Sequence, residues 1–375
     1  MILTNEQEMI RDMVRDFAQG ELRPKAAQFE ADQSYPPSLF EQLGSLGLMG
    51  MTAPETYGGA GSDFVSYVLA LIELAAGDGA LSTIVSIQNS IMVGGVLKDG
   101  TEAQKARWLG PLMRGEAIGA FALTEADAGT DAAAIRTRAE KTESGWRLNG
   151  AKQFITSGRI AKLAMVIAVT DPAAGKNGMT AFLVPTDTEG YSVDKVEHKL
   201  GQAASDTCAL RFDDVMLPDD AVLGGVGRGY RTALSNLETG RIGIAAQCIG
   251  MAQAALDIAI AYAKERTSFG QKIIEHQAVG FRLADMATRL EAARHLVLHA
   301  AALKDAGRPC LTEACMAKLA ASEAVEKICS GAIQTLGGYG YLEDYGLAKL
   351  YRDQRVCQIY EGTSDVQRMI IGRAL

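Results

Sequence analysis

The length, composition and charge of this chain limit the classes of protein to which it can belong. It has 375 residues, a formal net charge of −8, 48% hydrophobic residues and 22% charged residues. A chain of this length usually forms two or three packed units, and the composition is that of a globular protein. The acidic balance, without a stripe of Lys and Arg, argues against nucleic-acid binding. No apolar run is long enough to predict a membrane span, since "YVLALIELAA" is interrupted by Glu73.

Cysteine and histidine give no pattern of a metal centre. The six cysteines are scattered without a C-x-x-C pair, so neither a zinc site nor a disulfide framework is predicted. His295 and His299 lie four residues apart but lack the acidic pattern of an H-E-x-x-H motif. The acidic N-terminus is unlike a signal or transit peptide. We therefore expect a cytoplasmic protein, or a matrix protein if the chain is a mature mitochondrial one.

Hydrophobic periodicity divides the chain into three stretches. Residues 1 to about 115 predict apolar helices, and short β-rich runs from about 118 to 225 predict a small barrel or sandwich. From Gly229 onward, three long helices and a short terminal one predict an antiparallel bundle. We predict a mainly α-helical protein with a β domain, divided into residues 1–117, 118–225 and 226–375. The apolar helices also predict a homo-oligomer.

Two stretches in the middle of the chain combine glycine, hydroxyl and aromatic residues. "FALTEADAGTD", residues 121–131, can offer backbone amides and hydroxyls to a polar ring edge or a phosphate. Taken alone, it is more simply a helix-capping loop. "KQFITSG", residues 152–158, can place Phe154 against a planar cofactor and Thr156 at its edge. A phenylalanine buried in the barrel is the simpler explanation of that stretch in isolation.

Two later stretches lie at helix breaks. Arg266, in "ERTSFGQ", is a reasonable pyrophosphate ligand because its guanidinium group reaches two oxygens. In "QTLGGYGYLEDYGLAKLYRD", Gly337, Gly338 and Gly340 let the backbone approach a ligand closely. A plain turn between helices would need only one of these glycines.

The segment "IYEGTSDVQ", residues 359–367, places Glu361 just before a predicted terminal helix. Ser364 and Gln367 have the S-x-x-Q spacing of a capping box. On residue type alone Glu361 is an exposed carboxylate, because most glutamates are exposed. The alternative, a base held in a pocket, depends on features elsewhere in the chain.

Taken together and in this order, these stretches closely resemble the acyl-CoA dehydrogenase family over nearly the whole chain. "LTEADAGTDAAA" is similar to the family's first signature, "QTLGGYGYLEDYGLAKLYRD" to its second, and "IYEGTS" to its catalytic segment. The resemblance implies an N-terminal helical domain, a middle β-barrel and a C-terminal four-helix bundle, in agreement with the periodicity. It also implies FAD bound without a covalent link, and a homotetramer.

The resemblance implies a role for each matching residue. The residues implied to lie along the flavin and the CoA moiety of the substrate are Phe121, Leu123, Thr124 and Thr130. Those implied to contact the flavin at the isoalloxazine ring or from the catalytic side are Phe154, Ile155, Thr156, Thr363 and Asp365. Those implied to bind the FAD of a neighbouring subunit are Arg266, Phe269, Gln277, Gln334, Gly337 and Gly338. Those implied to lie near the acyl-CoA substrate are Thr130, Glu238, Arg241 and Gly362.

For Glu361 the resemblance implies the role of catalytic base. It would remove the α-proton of an acyl-CoA thioester while the β-hydrogen leaves as hydride to FAD, giving a trans-2-enoyl-CoA. The backbone N–H of Glu361 would donate to the thioester oxygen, and an electron-transfer flavoprotein would accept the electrons. Burial should raise the pKa of the carboxyl group. Some members carry the base at the position of Gly240, where a glycine cannot serve, so Glu361 is the matching candidate.

The acyl group is less sharply implied than the reaction. "GRIGIAAQ" and "EACMAKLAASEA" resemble members that act on short or short-branched chains, but Asp206 stands where those members commonly have a small hydroxyl residue. One alternative is a flavoprotein of the same fold with another outcome, an oxidase or a desulfinase-type eliminating enzyme. A second is a helical scaffold without catalysis, which the intact Glu361 and flavin motifs disfavour.

Overall fold

The first third of the chain is helical. The computed structural model describes residues 1–375, and its first seven helices are α1 (Asn5–Phe17), α2 (Ala26–Asp32), α3 (Pro37–Ser45), α4 (Phe64–Gly77), α5 (Gly79–Ile87), α6 (Gly94–Asp99) and α7 (Glu102–Met113). Thr4 and Thr101 begin α1 and α7 with complete capping boxes. A π-helical turn, Gln88–Val93, joins α5 to α6, so that residues 79–99 form one helical run.

The middle of the chain forms one sheet. Its strands are β1 (Gly119–Ala122), β2 (Arg138–Thr142), β3 (Gly145–Thr156), β4 (Leu163–Val169), β5 (Met179–Pro185), β6 (Tyr191–Val196), β7 (Thr207–Leu217) and β8 (Val222–Leu223). They pair in the order β6-β7-β3-β2-β4-β5-β8, with β1 parallel to β4. One face encloses a core around Trp146, Phe182 and Phe212, and the other packs on the helices. Both faces of β4 and β5 are covered, and for this reason the sequences of these strands are nearly continuous apolar runs.

The last third returns to helices. These are α8 (Gly229–Glu265), α9 (Gln277–Asp305), α10 (Leu311–Leu336), α11 (Leu347–Gln354) and α12 (Ser364–Ala374), and a short hairpin of β9 (Thr267–Ser268) and β10 (Gln271–Lys272) separates α8 from α9. A single core of 59 buried residues joins α8, α9 and α10 to α1, α3, α4 and α5. The helices before and after the sheet in sequence are therefore packed together.

The predicted order of helices, strands and helices is confirmed. Helix gives way to strand between Met113 and Gly119, and strand to helix between Leu223 and Gly229. The two domain boundaries given above remain predictions, because the largest core is shared by the first and last stretches.

Two helical runs are long and apolar enough to cross a membrane by length and composition. They are Gly79–Asp99 and Gly229–Glu265, and 89% and 72% of their most apolar windows are buried inside the protein. Packing in the protein's own core therefore accounts for their apolar composition. No group of three or more His, Cys, Asp or Glu side chains is placed to hold a metal ion.

Candidate functional site

A cavity of about 210 Å³ lies where the sheet, α8, the π-helical turn and the loop before α12 meet. We call it the central cavity. The residues predicted from sequence that line it are Phe121, Leu123, Thr124, Thr130, Phe154, Ile155, Thr156, Arg241, Glu361 and Gly362. Residues from the stretches 121–131, 152–158 and 359–367 thus meet at one cavity, together with the predicted residue Arg241 of α8. Its remaining walls are mostly aliphatic, including Ile87, Ile91 and Leu237.

The buried side chain of Lys152 holds the loop that follows β1. Lys152 Nζ donates to the backbone oxygen of Leu123 at 2.9 Å and to Glu125 Oε1 at 2.8 Å. Glu125 in turn accepts hydrogen bonds from the backbone N–H groups of Arg136 and Thr137. Burial lowers the pKa of Lys152 to about 8, although the charge of Glu125 opposes this shift. The pair fixes the backbone that presents residues 121–130 to the central cavity.

The end of β3 carries an irregularity that turns Phe154 outward. The pairing of β3 with β7 shifts register between Lys152 and Ile155, and Phe154 has φ +58° with 62% of its surface exposed. A bulky residue rarely adopts a left-handed backbone, and such positions concentrate at binding sites. The predicted alternative, a phenylalanine buried in the β domain, is wrong for this residue.

Asp206 supports the same loop and does not line the central cavity. It is 2% exposed, and its Oδ1 accepts a hydrogen bond from the Arg159 N–H at 2.9 Å. Its backbone oxygen accepts from the Ser157 N–H at 3.0 Å. At this position the chain differs from the short-chain pattern. The difference therefore affects the support of the loop that follows Phe154 and Thr156, and not the wall of the central cavity.

Glu361 points its carboxylate at α8. A Cβ atom placed on Gly240 would lie 2.9 Å from Glu361 Cδ and 3.0 Å from Oε1, and closer still to Oε2. Oε2 is buried and has no hydrogen-bond partner, and the Glu361 N–H makes no hydrogen bond within the chain. Glu361 has φ +51° and Gly362 has φ +91°. Only a glycine at position 240 leaves room for this arrangement.

The surroundings of Glu361 raise its pKa from the ordinary 4.5 to about 7. Burial disfavours the charged form, and the positive charges of Lys318 and Arg241 oppose the shift. Arg241 is 6% exposed, and its Nε is also buried without a partner. The interpretation of Glu361 as an ordinary exposed carboxylate is therefore wrong, and the group has a proton affinity suited to exchange near neutral pH.

The raised pKa predicts how Glu361→Gln changes stability with pH. Because the folded-state pKa lies above the unfolded one, Glu361 favours the folded state fully below pH 4.5 and loses that contribution as the pH rises through about 7. At pH 8 the free energy of unfolding of the variant should therefore exceed that of the parent by up to about 3 kcal/mol, so that it unfolds at a higher temperature. At pH 4 the two proteins should unfold at the same temperature. Thermal unfolding at both pH values measures this, and equal stability at pH 8 would contradict it.

The cap of α12 differs from the prediction by one residue. Thr363, not Ser364, is the N-cap: its backbone is extended and its side chain accepts from the Val366 N–H at 3.3 Å. Gln367 does not complete a capping box, because its Nε2 donates instead to the backbone oxygens of Gly362 at 2.8 Å and Glu361 at 3.4 Å. Gln367 thus holds the loop that carries Glu361.

A buried polar network lies behind Tyr360, which lines the central cavity. The Tyr360 hydroxyl donates to Gln247 Oε1 at 2.5 Å and lies 3.5 Å from Thr83 Oγ1. Gln202 donates to the same hydroxyl at 3.4 Å, and its own oxygen accepts from Thr83 at 2.8 Å. These bonds fix the Tyr360 ring, which forms part of the cavity wall, from three parts of the chain.

A second cavity, of about 450 Å³, gathers another group of predicted residues. Arg266, Gln334, Gly337 and Gly338 line it, together with Tyr262, Ser268, Ile273, Thr335, Leu336, Tyr339 and Leu342. The Arg266 guanidinium lies 5.9 Å from the centre of the Tyr339 ring. This cavity shares no lining residue with the central cavity. We call it the outer cavity.

Five predicted residues line neither cavity. Phe269, at the tip of the β9–β10 hairpin, is 96% exposed, and Gln277 is exposed at the start of α9. Asp365 is exposed and pairs with Arg368 at 3.5 Å, while Thr363 serves as the cap described above. Glu238 lies one helical turn before Arg241 and faces Lys304 at 3.4 Å.

Lys152 and Lys318 are functional candidates that the sequence analysis missed. Both are almost fully buried, and both donate to backbone oxygens of loops that line the central cavity. The sequence does contain a pattern that could have identified Lys318. It lies four residues after Ala314 and four before Ser322, on the buried face of α10. A charged residue on such a face needs a partner inside the protein.

Models of one family match the chain in three consecutive parts. The N-terminal, middle and C-terminal domains of acyl-CoA dehydrogenase match residues 4–116, 120–215 and 227–375. An acyl-CoA dehydrogenase of Bacillus subtilis is 47% identical over 375 residues, which cover 100% of this chain and 99% of that protein. The mitochondrial short-chain specific acyl-CoA dehydrogenase of Bos taurus is 45% identical over 98% of this chain and 90% of its own length.

Solved structures agree with these matches. Butyryl-CoA dehydrogenase from Megasphaera elsdenii superposes with a TM-score of 0.97 at 41% identity, over 100% of this chain and 99% of that one. A chain solved in work on the electron transferring flavoprotein of Acidaminococcus fermentans has a TM-score of 0.98 at 41% identity, covering 100% and 98%. A glutaryl-CoA dehydrogenase from Mycobacterium smegmatis in complex with FADH2 has a TM-score of 0.95 at 35% identity, covering 99% and 95%. This chain belongs to the acyl-CoA dehydrogenase family.

Proposed function

We propose that this protein is an FAD-dependent dehydrogenase that oxidises a short or short-branched acyl-CoA to the trans-2-enoyl-CoA, with Glu361 as the base. The observation that carries the proposal is the buried, unpartnered Glu361 carboxylate, with a pKa of about 7, at a cavity lined by aliphatic and hydroxyl side chains. The similarity to short-chain and butyryl-CoA dehydrogenases supports the substrate class.

The residues around the central cavity fit a flavin. Phe154 offers an exposed ring on a strained backbone, and the hydroxyls of Thr124, Thr130 and Thr156 line the same cavity. These side chains can pack on a planar ring and hydrogen-bond its edge. We assign flavin contacts to these residues and to Phe121, Leu123 and Ile155, with Thr363 and Asp365 contributing from the loop that follows Glu361.

The chemistry of the chain's own residues follows from the site. Glu361 takes the proton from the α-carbon, because its carboxylate is deprotonated above pH 7 and faces the cavity. Its N–H is free to donate to the thioester oxygen, where negative charge develops. Arg241 adds a positive charge beside the same group. FAD, when bound, would supply the acceptor for the hydride that leaves the β-carbon. Gly362 allows the substrate to approach the loop closely.

The preference for a short chain is supported by the small volume of the central cavity, about 210 Å³, and by its fixed wall at Tyr360. Tyr360 and its bonds to Gln247, Gln202 and Thr83 form a wall that a longer chain would have to displace. Breaking buried hydrogen bonds costs about 1–3 kcal/mol for each group left unsatisfied. A longer acyl chain should therefore bind less well, although a single methylene changes binding by only about 1–3 kcal/mol.

The outer cavity supports a homotetramer in which Arg266, Gln334, Gly337 and Gly338 bind the FAD of a neighbouring subunit. An arginine beside a glycine-rich turn suits a pyrophosphate, because both offer several N–H donors. Phe269 and Gln277 are exposed next to it and free to contact a second copy of the chain. Glu238, one helical turn before Arg241, is assigned to the surroundings of the acyl-CoA by its match to the family's sequence.

We further propose an electron-transfer flavoprotein as the electron acceptor, with the chain working in the cytoplasm or, if mitochondrial, in the matrix. The bacterial and mitochondrial relatives, and the similar chain solved in work on an electron transferring flavoprotein, support this assignment.

The experiment that tests the function separates a dehydrogenase from an oxidase of the same fold. The FAD-loaded protein is mixed with butyryl-CoA, once with oxygen as the sole acceptor and once anaerobically with a ferrocenium dye. We expect fast enoyl-CoA formation with the dye and little oxygen consumption. Rapid oxygen consumption would assign an oxidase instead, and the absence of enoyl-CoA with either acceptor would contradict the dehydrogenation of butyryl-CoA.

A further inference from the structure

Lys318 lies directly beneath the loop that carries Glu361. It sits in the middle of α10 with no exposed surface. Its Nζ donates to the backbone oxygen of Tyr360 at 2.8 Å and to that of Gly362 at 2.5 Å. One ammonium group therefore binds the carbonyl oxygens of the residues on both sides of Glu361.

The loop needs this support, because its conformation is unfavourable by itself. Glu361 has a left-handed backbone that non-glycine residues rarely adopt, and Gly362 follows with φ +91°. Besides Lys318, only Gln367 donates side-chain hydrogen bonds to the backbone oxygens of residues 360–362. Strained positions persist when the surrounding structure fixes them, and here two side chains from different helices do so.

We propose that Lys318 is a positioning residue for Glu361, holding its backbone so that the carboxylate faces Gly240 and the central cavity. The proposal rests on the function proposed above, in which Glu361 is the base. It adds to that function a residue outside the cavity wall that acts through Glu361 alone.

The charges around Lys318 agree with this role. The ionisable groups that face it are Arg241 and Cys248 on α8, Cys315 on its own helix, Cys357 in the turn after α11, and Glu361. Burial lowers the pKa of Lys318, while Cys248, Glu361 and Cys357 oppose that shift. Lys318 and Arg241 are the two positive groups that restrain the pKa of Glu361. Without Lys318, the carboxyl group would stay protonated to a higher pH.

Three substitutions separate position from charge. Lys318→Met removes both the hydrogen bonds and the charge, Lys318→Gln keeps a donor without the charge, and Lys318→Arg keeps both. Lys327→Met is the matched control, because Lys327 is exposed on the same helix. The rate of flavin bleaching by butyryl-CoA is followed anaerobically from pH 5.5 to 9 on the FAD-loaded full chain.

We expect Lys318→Met to reduce the bleaching rate at pH 7 by about 10- to 100-fold and to move the midpoint of the pH profile upward by about one pH unit. Lys318→Gln should move the midpoint similarly with a smaller loss of rate, and Lys318→Arg should stay close to the parent. Lys327→Met should change neither quantity by more than about twofold. If Lys318→Met does not fold, the comparison of the Gln and Arg variants gives the same test.

A second readout does not depend on turnover. The loss of stability that Glu361 causes in the parent between pH 4.5 and about 7 should extend to higher pH in Lys318→Met or Lys318→Gln, because only the folded-state pKa rises. Thermal unfolding across this pH range measures it. Unchanged midpoints in both the rate and the stability profiles of these variants would overturn the proposal. Failure of the proposed function would differ, because Glu361→Gln would then bleach at the parental rate.

Discussion

Glu361→Gln is expected to lose more than a hundredfold in the rate of flavin reduction by butyryl-CoA while still binding FAD and acyl-CoA. Glutamine has nearly the shape of glutamate but cannot accept the α-proton, and a positioned base contributes about 10²–10⁴-fold to such a step. Its side chain would occupy the same space beside Gly240, so the cavity should keep its shape. The loss should appear in the rate constant for reduction and not in the affinity for the thioester.

Anaerobic stopped-flow absorbance measures that rate constant, and binding of the enoyl-CoA product measures affinity separately. The control is Glu265→Gln, which replaces an exposed glutamate at the end of α8 and should behave as the parent. Reduction by Glu361→Gln at the parental rate would mean that another group removes the proton. Loss of FAD binding would mean instead that Glu361 has a structural role.

Gly240→Ala is expected to slow reduction by about 10- to 100-fold, because its new methyl group would occupy the space of the Glu361 carboxylate. The Cβ would approach Cδ to 2.9 Å and Oε2 more closely still, well inside normal contact distance. The carboxylate would have to rotate away or the loop would have to shift, and a misplacement of about 1 Å can cost about a hundredfold in rate. The change acts only through geometry, since it removes no ionisable group.

Gly372→Ala on α12 is the matched control, because no atom lies within 4 Å of the Cβ that it would introduce. It should leave the rate unchanged and can stabilise the helix by about 0.5–1 kcal/mol. If Gly240→Ala reduced flavin as fast as the parent, the close approach of Glu361 to α8 would not be the reactive arrangement. A crystal structure of the variant would then show where the carboxylate lies.

The fold could be predicted from the sequence because its signals are local. Periods of helix and strand, together with turns such as Ser144-Gly145, mark the order of helices, sheet and helices. The shared core of the first and last helices could not be predicted in this way. It depends on packing between helices such as α4 and α8, which the whole sheet separates in the sequence, and no periodicity reports such packing.

The candidate site was predictable only in part, for the same reason. The motifs identified the loops that line the central cavity. The similarity of "IYEGTS" to the family's catalytic segment identified Glu361 among the glutamates of the chain. Burial raises the pKa of Glu361, and the charges that oppose this shift belong to Lys318 and Arg241, which lie 43 and 120 residues away in the sequence. The capping prediction at Ser364 was wrong by one residue because Gln367 binds the loop oxygens and does not return to the cap.

Anaerobic titration of the flavin absorbance with a panel of acyl-CoAs tests the central claim most directly. The panel runs from propionyl-CoA to octanoyl-CoA and includes branched and dicarboxylic thioesters. We predict bleaching of the flavin absorbance that is complete with butyryl-CoA or a short branched thioester and weaker with octanoyl-CoA. A protein that binds FAD but is bleached by none of these thioesters would contradict the assignment of α,β-dehydrogenation to this site.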